Sequence, residues 1–166
     1  MPPNLDIYVI SRSRSRDMIE RFLNTYVDIE ASADRGREEL MLLPLGSSES
    51  PPRLEDWDWE PSGTLSNIIE RGLQHPPRAF SVSLRTRNTS LAGSTLGFTA
   101  DDQVFFGLSL DDEGADPENL AKAKELLYEM VESLQGRSAF IGVETPPPLV
   151  GVTPSSDFIV YSWPTT

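Results

Sequence analysis

Thr95-Leu96-Gly97-Phe98-Thr99-Ala100-Asp101-Asp102-Gln103-Val104-Phe105-Phe106-Gly107-Leu108-Ser109-Leu110 decides the fold. Its first five residues read as a strand, and Ala100-Asp101-Asp102 follows as a turn. Val104, Phe106, Leu108 and Leu110 then fall at alternate positions, the period of a strand with one face in a core. The two runs predict an antiparallel hairpin. Downstream, Asp116 with Pro117 behind it is a helix start, and Leu120, Ala123, Leu127, Met130, Val131 and Leu134 make an apolar stripe that Gly136 is expected to end.

Upstream, Leu5 to Ile10 reads as a strand, and Met18, Ile19, Phe22, Leu23, Tyr26 and Val27 recur at helical spacing, with Asp17 and Glu20 as a capping box. The charged stretch from Asp28 to Glu39 leads into Leu40 to Leu45, a short buried or edge strand ended by Pro44. Gly46 to Gly63 mixes serine, proline and acids around two tryptophans; it holds neither regular period and reads as a long loop at about 46–63. Thr64 caps a short helix over Leu65, Ile68, Ile69 and Leu73 that ends before Pro76-Pro77. Phe80, Val82 and Leu84 mark a strand, as do Ala139, Ile141 and Val143, and Phe158 to Trp163. Pro146-Pro147-Pro148 joins the last two as a stiff extended connector.

This order gives an α+β fold: a mixed or antiparallel sheet with two to three helices on one face. With the middle treated as an insertion, the remainder approaches the split β-α-β arrangement of ferredoxin-like domains, an analogy that carries no function. The length of 166 residues favours one domain.

Composition removes much chemistry. The chain has no cysteine and one histidine, so disulfides, thiolate catalysis, Fe–S clusters and multi-histidine metal sites are excluded. No apolar run reaches the ~20 residues of a membrane span, and Met1 to Asp6 lacks the basic flank and apolar stretch of a secretory signal, so a cytoplasmic location and no membrane are expected. Twenty-six acids against 14 bases leave a net charge of −12, which repels phosphate backbones and favours a basic protein as partner over nucleic acid.

Four stretches are candidate sites. Glu55-Asp56-Trp57-Asp58-Trp59-Glu60 sets four carboxylates beside two indoles, a pattern suited to gripping a basic partner through aromatic anchors; the competing reading folds the indoles back over the core. Ser11-Arg12-Ser13-Arg14-Ser15-Arg16 lies between the first strand and first helix, where Arg12, Arg14 and Arg16 could hold an anion. No glycine-rich phosphate loop accompanies them, and pairing with the chain's own acids is the better reading. Asp111-Asp112-Glu113-Gly114 with Asp116 and Glu118 does not follow the EF-hand spacing and is read as solvating a hairpin exit and a helix start, so no metal is assigned. His75 is the lone imidazole base, yet no nucleophile elbow accompanies it, and the sequon Asn88-Thr89-Ser90 has no secretory context.

No catalytic residue and no cofactor are assigned. The leading expectation is a non-enzymatic acidic binding protein, of the kind an immunity protein or inhibitor represents, that captures a basic protein through residues 55–60. One alternative is an enzyme or small-ligand binder working near Arg12, Arg14 and Glu144; another is a structural subunit that associates through the strand at Phe158 to Trp163.

Overall fold

Leu5, Ile7 and Val9 alternate with Asp6, Tyr8 and Ile10 in the first strand, and all six side chains are buried. Such a strand belongs in the middle of a sheet covered on both faces. The computed structural model, which describes residues 3–34, 40–44, 57–61, 63–74, 79–112 and 116–164, bears this out. Its strands are β1 (Asn4–Ser11), β2 (Leu40–Pro44), β3 (Trp57–Pro61), β4 (Phe80–Leu84), β5 (Gly93–Phe98), β6 (Val104–Asp111), β7 (Gly136–Val143) and β8 (Ile159–Trp163). Its helices are α1 (Arg16–Tyr26), α2 (Ile29–Asp34), α3 (Leu65–Leu73) and α4 (Pro117–Ser133).

The fold is α+β. The strands form one sheet in the order β3-β2-β4-β5-β6-β1-β7-β8, and every pairing is antiparallel. The β5–β6 hairpin forms as its alternation requires, with Asp102 of the turn at φ 65°. Since β6 and β7 both run antiparallel to β1, they are parallel with β1 between them, and α4 makes the crossover: a split β-α-β unit. Likewise β1 and β5 are parallel with β6 between them.

The main core lies under the helices. Phe22 of α1, Ile68 of α3, and Ala123, Leu127 and Met130 of α4 pack on Ile7, Val9, Phe106 and Leu108 of the sheet. Each large side chain so buried contributes about 1.5–3 kcal/mol relative to exposure. As expected, α4 starts with Pro117 behind Asp116, whose carboxylate accepts from the Glu118 N–H at 2.9 Å.

Several local expectations need correction. Ser15, not Asp17, caps α1, its hydroxyl accepting from the Met18 N–H at 3.3 Å. Helix α4 is capped at Leu134 and followed by Gln135, which takes the left-handed conformation at φ 53°; Gly136 instead opens β7, where a Cβ would crowd Val9 and Val131. The segment read as a loop to Gly63 contains β3 at Trp57–Pro61, paired along β2 from Trp57 opposite Pro44 to Pro61 opposite Leu40. Cross-strand pairing supplies what local composition withholds. The charged stretch after Asp28 contains α2, whose Ile29 packs on the core. There are therefore four described helices rather than two or three.

The second face of the sheet has its own small core of Tyr8, Ile10, Phe105 and Phe140, with Ile159 against it. The Tyr8 ring lies 5.8 Å from Phe105 and 5.3 Å from Phe140 between centroids. Room for these rings comes from glycine: a Cβ at Gly97 would overlap Phe105, and one at Gly107 would press on Tyr8. Over this face runs the proline-rich segment 145–158 as a strap, with Pro147, Pro148 and Leu149 beside Phe80 and Phe105. Tyr8 Oη donates to the Thr145 carbonyl at 3.1 Å, the Ala100 N–H to the Leu149 carbonyl at 3.0 Å, and the Gly151 N–H to the Asp101 carboxylate at 2.8 Å.

Candidate functional site

The sheet has two edges, and the acidic aromatic segment forms one of them. Trp57, Asp58, Trp59 and Glu60 lie in β3, which pairs with β2 on one side and with no other strand among the described residues. Glu55 and Asp56 lie outside the described residues. An edge strand keeps a row of backbone N–H and C=O groups available to an incoming strand, and acids along it select the charge of what pairs there. Pro61, at the strand's end, has no N–H to offer.

The arginine loop serves the fold. Ser11 Oγ donates to the Leu134 carbonyl at 2.9 Å and the Arg12 N–H to the Gln135 carbonyl at 2.9 Å, which satisfies the end of α4. The Arg14 guanidinium reaches the Gly72 and Leu73 carbonyls at the end of α3 and pairs with Asp102 at 3.2 Å; its side chain is 12% exposed. Arg16 pairs with Glu70. Cations at helix C-termini are favourable there, so the loop ties the ends of two helices to the start of a third. The Arg12 side chain is exposed. Glu144 does not join this group: it follows β7 where its N–H donates to the Asn4 carbonyl, at the opposite end of β1. At ~3.3 Å per residue the eight residues of β1 place roughly 23 Å between the two. The enzyme-like constellation of Arg12, Arg14 and Glu144 is thus separated by the sheet itself.

The acidic run after β6 divides by role. Asp112 is buried rather than solvating, accepting from Asn119 Nδ2 at 2.9 Å, while Asp111 is exposed and Asp116 caps α4. Glu113 and Gly114 lie outside the described residues, as does His75. No group of three potential ligands gathers for a metal among the described residues. Asn88 Oδ1 accepts from the Ser90 N–H at 2.9 Å, so the sequon forms a local turn.

One polar cluster was missed from sequence. Asp6 accepts from Ser109 Oγ at 2.6 Å and from the Thr145 N–H at 2.9 Å, beneath the strap. Burial pushes its carboxyl above the ordinary aspartate value, against those two hydrogen bonds, and the charge of Glu144 adds to the rise. Burial, helped by Asp6, raises the Tyr8 phenol well above its usual range. The sequence carried a signal: an acid inside Leu5-Asp6-Ile7, in a run too apolar for a solvated face.

Among the described residues no helix is long and apolar enough to cross a membrane. The large apolar side chains left exposed among them are Tyr128, Val152, Phe158 and Val160; Phe158 lies just before β8, the other sheet edge, and Val160 within it. Comparison with protein-family models, with curated proteins and with solved structures finds no match for this chain.

Proposed function

We propose that this chain is a non-enzymatic binding protein that captures a basic protein partner, as an immunity protein or inhibitor does, by accepting an extended segment of that partner along β3. The observation that carries this reading is the position of Trp57–Pro61 at the end of the sheet, unpaired on its outer side among the described residues, with Asp58 and Glu60 in the strand and a net charge of −12 behind it. Backbone pairing supplies affinity in such strand addition, and the acids choose a lysine- or arginine-bearing strand over others. The surplus negative charge raises the encounter rate with a cationic surface and makes it dependent on salt.

A short, fluorescently labelled peptide of alternating lysine and threonine tests this by polarisation. Binding that saturates at low ionic strength, and that the double variant Asp58→Asn/Glu60→Gln weakens about tenfold, a loss of about 1.4 kcal/mol, is expected. Equal binding by the double variant would remove β3 from the account. Trp57→Ala and Trp59→Ala then report whether the indoles anchor the partner, in the same assay and in partner recovery at low salt.

A second reading rests on the other edge. Exposed Phe158 and Val160 lie just before and within β8, and Phe158 to Trp163 carries no charge, so two acidic copies would meet there with least repulsion. The expected result is a dimer by light scattering that Phe158→Ser converts to monomer; a monomer at all concentrations would dismiss it.

A further inference from the structure

The strap covers only part of the second face. Beyond it, between the ends of β1 and β6 and the loop after β4, lies an open groove of about 570 Å³, a volume in the range of small-molecule sites. Asn4, Ser83, Arg85, Thr89, Thr95 and Ser109 supply its polar wall, and no carboxylate lines it among the described residues.

Two features set this groove apart from an ordinary solvated sheet face. First, its donors are uncommitted. Among the described residues the Arg85 guanidinium makes no ion pair or hydrogen bond, and the hydroxyls of Ser83, Thr89 and Thr95 and the amide of Asn4 make no side-chain hydrogen bond. Ser109 differs: its proton is given to Asp6, so it turns an acceptor toward the groove. Second, Gly93 in the wall has no internal reason to be glycine. A Cβ there would meet nothing within 4 Å among the described residues, and its backbone is not in the left-handed region. By contrast Gly97 and Gly107, in the same sheet, each make room for a ring. A strand glycine costs stability relative to a residue with a side chain, and close approach of a bound molecule is a recognised reason to keep one.

We propose that this groove binds a small hydroxylated anion, a sugar phosphate or a sugar acid, with its oxyanion on Arg85 and its body over Gly93. One cation, with hydroxyls and an amide that can each donate or accept, matches a ligand that carries one charged group and hydroxyls of its own. The site is distinct from β3, and its occupant is a metabolite rather than a protein.

The test uses the full-length chain and amide NMR titration with four probes: glucose 6-phosphate, gluconate, inorganic phosphate and glucose. At least one of the two sugar anions is expected to bind saturably, with shifts centred on Gly93, Thr95 and Ser109, and glucose at least about tenfold more weakly. Arg85→Gln and Gly93→Val should each weaken that anion by about tenfold or more. Because Gly93 faces open space, Gly93→Val is expected to keep or raise the unfolding temperature, which separates a blocked groove from a damaged fold; Ser83→Ala with Thr95→Val is the second route to the same loss. Phosphoryl and carboxylate specificity follow from which anion wins. The proposal is overturned if neither sugar anion saturates, if inorganic phosphate or glucose binds as tightly as the better of them, if the shifts centre elsewhere, or if folded Gly93→Val binds unchanged.

Discussion

Replacing Tyr8 with phenylalanine removes one atom from the attachment of the strap. The phenol oxygen donates to the Thr145 carbonyl at 3.1 Å, 137 residues away in sequence, while the ring stays over Gly107 between Phe105 and Phe140. The hydrophobic contribution of the ring is therefore kept, and the cost is that of a buried carbonyl left without its donor, about 1–3 kcal/mol. At roughly 2–4 °C per kcal/mol for a chain of this size, a loss of about 2 kcal/mol lowers the melting temperature by about 4–8 °C. Urea unfolding measures the free energy, and limited proteolysis measures release of the strap, with cleavage expected between Val150 and Ser156. Tyr128→Phe is the control: Tyr128 is exposed and its hydroxyl meets that of Tyr161 at the surface, so its loss should stay below about 0.5 kcal/mol. A Tyr8→Phe variant within that same margin of the parent, with no faster cleavage, would refute the idea that this bond holds the strap.

Other consequences follow from the same packing. The raised Asp6 carboxyl means that the folded state holds its proton more tightly than the unfolded chain does, so its stabilising effect is complete below pH 3.8 and is lost as pH rises through the folded value. Asp6→Asn should therefore gain on the parent as pH increases, read from urea midpoints across the acid range; a difference independent of pH would contradict this. The Tyr26 phenol, pushed up to about 12 by burial and then by the charge of Glu129, should lag the ordinary tyrosine value in an ultraviolet titration, with stability falling between pH 10 and 12. Gly97→Ala forces a methyl against the Phe105 ring and should cost about 1–3 kcal/mol in chemical denaturation, whereas a neutral result would mean that the ring moves aside freely. Asp116→Ala removes the cap of α4 and should cost about 1 kcal/mol by the same measurement.

The sequence was most legible where a local period and a tertiary role agree. The β5–β6 hairpin and α4 follow from alternation, a turn and an Asp-Pro start, and each buries the stripe its spacing predicts. It was least legible where long-range partners decide. Trp57–Pro61 has the composition of a loop and becomes a strand by pairing with β2, and Ile29–Asp34 forms a helix of only six residues with little apolar stripe of its own. Arginines spaced like an anion site close the ends of α3 and α4, which no residue of the loop itself announces. The buried Asp6 needed Ser109 of β6 and Thr145 of the strap, both distant in sequence, before its environment could be seen. For the edge strand, acids beside tryptophans suggested a contact surface, but only the strand order puts it at the end of the sheet, unpaired on its outer side among the described residues.

Capture of a basic strand by β3 would shield its outward backbone amides, and residue-resolved hydrogen exchange with the lysine–threonine peptide reads that shielding residue by residue. Peptide is expected to slow exchange of outward amides within Trp57–Glu60, and this protection to disappear in Asp58→Asn/Glu60→Gln. Exchange in β3 that stays unchanged under saturating peptide, or protection confined to β8 or the groove around Gly93, would contradict it.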